Sequence, residues 1–376
     1  MKRALSLVGV GLLLRVLVVL YLVHVRPNAL AWGINEAGGI ARWIVLQHSF
    51  STPFHDATGP TAWLGPVYPA LVAVSFLFFG VLTPASALAV MIFNAICSAL
   101  TGWVVYSIAR LVVNERAGLI AGWLWALSPY VMLMPFILWD TSLSALVLGY
   151  AFLRTLELNN GRARDWMLCG ATWGLAGLVG PSLLVPLPFL LVYMGMKTKR
   201  WIPSAILAGT AFLVLVPWLV RDYVVFHRFI PVRSNGLVEI YFGNLGSEVH
   251  PLGPSMEYQK LGEPAFVSQY GSRALEYLKE SPGTFLRDSA RRAIDFWMYP
   301  SGYWPITVLI ESAALAALVL LFRRGSAMVA PFLIVLATYP LVYYASLVFS
   351  RYRHPIEPLL YALAGCSFSL LRKTEL

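Results

Sequence analysis

Two carboxylates stand where proton or metal chemistry could be done. Glu36 lies in LAWGINEAGGIARWIVLQHSFSTPF, where Leu30, Ile34, Ala37, Ala41 and Ile44 recur at helical spacing. That spacing predicts an amphipathic helix lying on a membrane surface. Its polar side carries Asn35, Gly38, Gly39 and Arg42, with Glu36 beside them. Glycines on that side would let a ligand approach the backbone closely. Asp140 lies in PFILWDTSLSALVLGY, at the junction of two apolar runs. A carboxylate held at a membrane surface can take a proton from a hydroxyl or bind a metal. Two of them on one face make an acid–base or metal-binding pair. Plainer roles stand beside these. Glu36 reads equally as a solvated charge on an interfacial helix. Asp-Thr-Ser ahead of an apolar run is also a helix N-cap signal, which would leave Asp140 a cap.

A second group is cationic. Arg221 follows an apolar run ending PWLV, and Arg351, Arg353 and His354 stand in SRYRHPIEP after the run ending YYASLVFS. The planar fork of arginine matches phosphate oxygens, so these residues suit a phosphate at the membrane surface. Snorkelling to lipid headgroups is the structural alternative. Arg15 and Glu311 sit inside apolar runs, where ionisable groups are either functional or paired. His55, Asp56 and His250 could ligate a metal but lack a fixed ligand spacing, so a divalent metal cofactor stays open. Cys97, Cys169 and Cys366 all fall in apolar stretches and read as packing residues.

The elements that must position these groups are membrane helices. The chain of 376 residues is 59% hydrophobic and only 12% charged, against about 25% charged in soluble domains. The net charge of +10 therefore points to orientation and anionic lipid contacts and not to nucleic acid. The start, MKRALSLVGVGLLLRVLVVLYLV, lacks a small-residue cleavage site and carries Arg15, so it reads as an uncleaved span. Apolar runs cover 4–25, 84–112, 117–138, 141–158, 166–180, 182–196, 201–220, 304–322, 327–349 and 357–371. Gly180-Pro181 divides the fifth from the sixth, which are two short spans or a helical hairpin. A further stretch, 67–82, either spans or lies along the interface.

Charge decides that ambiguity. One set of connecting segments holds 14 cations: Lys2, Arg3, Arg110, Arg116, Arg154, Arg162, Arg164, Lys197, Lys199, Arg200, Arg323, Arg324, Arg372 and Lys373. The other set holds four, Arg26, Arg42, Arg351 and Arg353, once the long loop is left out. The split places both termini in the cytoplasm and works if 67–82 does not cross. The expected fold is thus an all-α polytopic integral membrane protein. It has about ten transmembrane helices, an interfacial helical first outer loop over 26–83, and a small helical outer domain over 221–303. Residues 1–220 form the N-terminal transmembrane module and 304–376 the C-terminal helices. Within the outer domain, SRALEYLKESPGTFLRDSARRAIDFW predicts two amphipathic helices broken at Ser281-Pro282-Gly283.

In its order of motifs the chain resembles the glycosyltransferases of the C superfamily, which include the protein O-mannosyltransferases and the lipid A aminoarabinose transferase. The resemblance runs through INEAGGIARWI, SFSTPF, TGPTAWLGPVYPALVA, NERAGLIAGWLWALSPY, WDTSLSAL, PWLVRDYVVFHRFIPVRSN and SRYRHPIEPLL, nearly the whole chain. It implies that Glu36 and Asp140 face an active site on the outer surface of a bacterial inner membrane. It implies a polyprenyl-phosphate-linked sugar as donor and an inverting transfer to an acceptor; by their own chemistry Arg221, Arg351, Arg353 and His354 would then suit the donor phosphate. The chain departs from the family in one respect. Many members carry two adjacent acids in the first loop, whereas Glu36 is flanked by Asn35 and Ala37. Two other readings stay open: a transporter or flippase of a lipid-linked or small substrate, and an inactive relative acting as an envelope scaffold. A transporter more often shows paired repeats with helices broken at the midplane, and none is visible here.

Overall fold

The computed structural model describes residues 2–33, 35–54, 57–158, 162–245, 256–298 and 304–371. His55, Asp56, His250, Ile34, Arg372 and Lys373 lie outside them. Helix is the only extended secondary structure among the described residues, apart from one isolated bridge between Ser51 and Pro60. The membrane-protein fold expected from hydropathy is therefore present.

The N-terminal helix α1 (Lys2–Val25) leads through a tight turn at Pro27–Leu30 to α2 (Glu36–Gln47). The α2 helix starts later than the apolar spacing suggested, because Asn35 caps it: the Asn35 side chain accepts from Gly38 N at 2.8 Å. Leu30 therefore belongs to the turn. Next come α3 (Val67–Phe79), α4 (Pro84–Val112), α5 (Glu115–Leu127) and α6 (Pro129–Leu133), followed by α7 (Thr141–Glu157), α8 (Ala163–Val179), α9 (Pro186–Thr198) and α10 (Trp201–Phe226). The outer region holds α11 (Gly236–Asn244), α12 (Met256–Leu261), α13 (Glu263–Glu280) and α14 (Pro282–Met298). Pro282 opens α14 at the break read from Ser281-Pro282-Gly283. The chain closes with α15 (Trp304–Arg323), α16 (Val329–Thr338), α17 (Leu341–Ala345), the short turn α18 (Ser350–Arg353) and α19 (Glu357–Leu371).

Among the described residues five helical stretches are long and apolar enough to cross a membrane: Ser6–Val25, Pro84–Val112, Pro181–Thr198, Trp201–Phe226 and Pro305–Arg323. A sixth follows if Glu115–Leu127 and Pro129–Phe136, bent by 51°, count as one. The other runs expected to cross form shorter or broken helices. Pro340 and the non-helical Ser346 break 327–349 into α16, α17 and an irregular stretch. The α7 and α8 helices have 17 residues each and α19 has 15. The α19 helix is buried along almost its whole length, packed against α4, α5 and α15, so it meets protein and not lipid. Gly365 permits that approach, since a Cβ there would fall 2.4 Å from the Ala121 side chain. The α3 helix has 13 residues, about 20 Å of helix at ~1.5 Å per residue, against ~30 Å of hydrocarbon.

Arg15 proves to be paired structurally. Pro129 breaks the helix after α5 and leaves carbonyls without amide partners. The Arg15 guanidinium takes up Trp125 O at 3.1 Å and Ala126 O at 3.4 Å, with Gly11 O at 3.0 Å and Ser98 Oγ at 2.7 Å. Cys97, Cys169 and Cys366 are buried and free, as packing residues should be.

Candidate active site

One cavity of about 670 Å³ is walled by the N-terminus of α2, the start of α7, the Gly180–Val185 turn, α11, the α16–α17 region and α18. Its lining brings together Glu36, Asp140 and Arg351. It adds Glu239 and Arg233, which the sequence reading did not single out.

The first wall is set by Asn35. Its Oδ1 caps α2, and its Nδ2 donates to Leu138 O at 2.8 Å. One side chain thus starts the helix bearing Glu36 and holds the loop bearing Asp140. Asn94 donates to the neighbouring carbonyl, Ile137 O, at 2.9 Å. The glycines beside Glu36 serve the chain itself and not a ligand. A Cβ on Gly39 would meet Pro53 O at 2.5 Å, and one on Gly38 would meet the Trp32 ring at 2.8 Å.

Two of the three carboxylates are oriented by a neutral donor. The Trp63 indole donates to Glu36 Oε1 at 3.1 Å, and Asn35-like support for Glu239 comes from Asn235 Nδ2, which donates to Glu239 Oε1 at 3.0 Å. Asp140 occupies the N-cap position of α7, yet its side chain makes no cap hydrogen bond and lines the cavity beside Ser144. Burial raises all three above the ordinary carboxylate range. For Glu36 the Trp63 hydrogen bond and the charges of Arg233 and Arg351 oppose the rise, and Asp140 adds to it. For Asp140 the same two arginines oppose it. Glu239 reaches about 7, pushed up by burial and then by the charge of Glu36.

The cations are held differently. Arg351 lies against the rings of Trp139, Phe349 and Tyr352, with its guanidinium 4.8, 5.0 and 5.1 Å from their centroids. Among the described residues neither Arg351 nor Arg233 has a carboxylate within 4.0 Å. The Arg233 Nε is buried without a hydrogen-bond partner. Two positive groups are thus left to face an anion, while Glu36 and Glu239 accept from Trp63 and Asn235.

The other expected residues lie elsewhere. Arg221 donates to Thr61 O at 2.7 Å, Phe50 O at 2.8 Å and Asp222 Oδ1 at 2.7 Å, tying α10 to the first loop. Arg353 is 2% exposed and bridges Glu311 at 2.7 Å and Glu357 at 3.6 Å, with Trp297 O at 3.2 Å. His354 pairs with Glu357 Oε2 at 2.7 Å and stacks on Trp125. Arg351 and Arg353 are two residues apart in a helical turn, so one faces the cavity while the other anchors the turn from behind. The signal for Glu239 was a lone acid inside the apolar run Leu237–Phe242. Among the described residues no three His, Cys, Asp or Glu side chains come together as a metal-holding group. The described cavity residues therefore do not fit a three-ligand metal site.

This helical membrane fold is similar to that of solved membrane glycosyltransferases. Within it, residues 63–220 match the family described as dolichyl-phosphate-mannose-protein mannosyltransferase. The apo oligosaccharyltransferase of Archaeoglobus fulgidus superposes with a TM-score of 0.60 at 14% identity, covering 99% of this chain and 51% of that one. The same enzyme, AglB, in complex with an inhibitory peptide and a dolichol-phosphate gives 0.59 at 14% identity, over 99% and 50%. ArnT from Cupriavidus metallidurans bound to undecaprenyl phosphate gives 0.46 at 15% identity, over 98% and 78%. At 14% identity the likeness to the archaeal enzyme is one of fold, and the chain spans about half that enzyme's length. No curated protein matches the chain by sequence.

Proposed function

We propose that the protein moves a sugar from a polyprenyl-phosphate carrier to an acceptor hydroxyl at the outer face of the membrane, by a single inverting displacement. The observation that carries this reading is the 670 Å³ cavity in which Arg233 and Arg351 lack carboxylate partners and face Glu36, Asp140 and Glu239. The acceptor oxygen attacks the anomeric carbon as the bond from that carbon to the phosphate oxygen breaks. The electron pair leaves with the polyprenyl phosphate, whose charge Arg351 and Arg233 stabilise. The hydroxyl proton passes to Glu36 or Asp140, and attack opposite the leaving group inverts the anomeric centre. No covalent enzyme intermediate is required. The family match and the dolichol-phosphate carried by the archaeal structure support a lipid-phosphate donor.

The test is transfer from radiolabelled polyprenyl-phosphate mannose in vesicles containing the purified chain. Labelled product with wild type, lost in Glu36→Gln and Asp140→Asn, is the expected result. Movement of the labelled lipid between leaflets without sugar transfer would replace this reading with a flippase.

A further inference from the structure

The α14 helix has two working faces. Its inner face grips the cavity wall: Arg292 donates to Tyr344 O at 2.6 Å and Gly243 O at 3.1 Å, and Trp297 Nε1 donates to the Tyr344 hydroxyl at 2.6 Å. Tyr344 belongs to α17 and Gly243 to α11, the helix that carries Glu239. The opposite face is uncovered. Leu286, Ala290, Ile294 and Met298 follow one another at four-residue spacing, and all are exposed, at 65%, 58% and 52% for Leu286, Ile294 and Met298. Arg287 and Arg291 are exposed on the same side, Arg287 with its Nε 3.3 Å from Asp288 Oδ1 at the surface.

A helix that shows water a stripe of Leu, Ile and Met flanked by arginines has the composition of an interfacial helix. Its place in the chain says what covers it. Through 299–303 it leads into α15, whose Pro305–Arg323 stretch is long and apolar enough to cross a membrane. The α15 helix also carries exposed apolar residues such as Leu309, 69% exposed. The two arginines match the negative surface of anionic lipid. We propose that α14 lies on the bilayer surface as a contact for anionic lipid headgroups, and that its inner face passes this contact to the cavity wall through Tyr344 and Gly243.

The test uses the full chain, with Cys97, Cys169 and Cys366 replaced by alanine and an environment-sensitive fluorophore on Ile294→Cys. It is reconstituted in vesicles of phosphatidylcholine alone and of phosphatidylcholine with phosphatidylglycerol. A label on Glu276→Cys, exposed on α13, is the control. The expected result is a blue-shifted label at 294, shielded from iodide, with more shielding when phosphatidylglycerol is present. Arg287→Gln with Arg291→Gln removes the phosphatidylglycerol increment, and Lys at both positions keeps it. A label at 294 as quenchable as that at 276 overturns the proposal, as does shielding indifferent to phosphatidylglycerol. Shielding that grows with protein-to-lipid ratio assigns the stripe to a second copy and overturns it too. Sugar transfer is not read, so the result stands apart from the proposed reaction.

Discussion

Glu36, Asp140 and Glu239 share one cavity but differ in what each can lose. A carboxylate base works only when ionised, and burial raises all three. Transfer should therefore fall on acidification above the ordinary carboxylate range. Glu239 and Glu36 feel each other's charge. Glu239→Gln removes one negative neighbour, so the acid limb of kcat/KM should move to lower pH, while Arg351→Gln removes a positive one and should move it higher. A limb unmoved by both substitutions removes Glu36 as the base. Stability runs with the opposite sign of an ordinary acid. The folded state lifts Glu239 from 4.5 to about 7, so protonation favours folding. That contribution is fully present below about 4.5 and is lost as pH rises through about 7. Glu239→Gln should therefore melt higher than wild type at neutral pH and show no advantage at low pH. Asp140 makes no cap hydrogen bond, so Asp140→Asn should lose less than the ~1 kcal/mol typical of a cap. Its transfer should fall about 100-fold or more, the scale for losing a general base. Thermal unfolding run beside turnover separates the two effects.

The elements hold these side chains through a few shared tethers, and the tethers explain what could be read in advance. Asn35 was legible as a neighbour of Glu36 but not as the clamp between α2 and the loop before α7, because that contact joins positions 35 and 138 and no local pattern encodes it. It also accounts for the missing second acid. A carboxylate at 35 could cap α2 but could not donate to Leu138 O. Asn35→Asp should thus keep the cap and most of the stability while slowing transfer, whereas Asn35→Ala should lose both, with about 1–3 kcal/mol of stability gone from two hydrogen bonds. Equal melting losses in the two variants would show that the cap alone matters. Arg353 is the converse case. Its place in SRYRHPIEP suggested a phosphate ligand, yet neighbours two apart in a helical turn face apart, and only the packing decides which one faces the cavity. Arg353→Lys should destabilise, because one ammonium cannot bridge Glu311, Glu357 and Trp297 O together, and a broken buried pair costs about 3–5 kcal/mol. Arg351→Lys should leave melting nearly unchanged and raise the apparent KM for the lipid donor. Donor kinetics and melting curves on both variants test this reversal of roles.

At the scale of the whole molecule, hydropathy placed every long apolar helix, since lipid exposure forces a continuous apolar surface on α1, α4, α10 and α15. The number of crossings turns on helices that face protein. The α19 helix is surrounded by α4, α5 and α15, and apolarity does not distinguish a protein interior from lipid. The sidedness of the cavity does not depend on that count. It rests on two helices that each meet the length and composition for a crossing, α10 and α15. Just before α10 stand Lys197, Lys199 and Arg200, and at the far end of α15 stand Arg323 and Arg324. Cation clusters favour the cytoplasm. Both clusters can lie there only if the outer end of α10 and the start of α15 lie on the opposite side, together with α11 through α14 and the cavity roof they form. Both helices support the proposed outer-face placement, whatever α7, α8 or α19 do. A cysteine at the exposed Ser272 of α13 should therefore react with a membrane-impermeant maleimide in intact cells. A cysteine at Ser326, two residues past Arg324, should react only after lysis. The reverse pattern would place the cavity on the cytoplasmic face. Labelling of both positions in intact cells would mean that α15 does not cross, which would remove the outer-face assignment for the reaction.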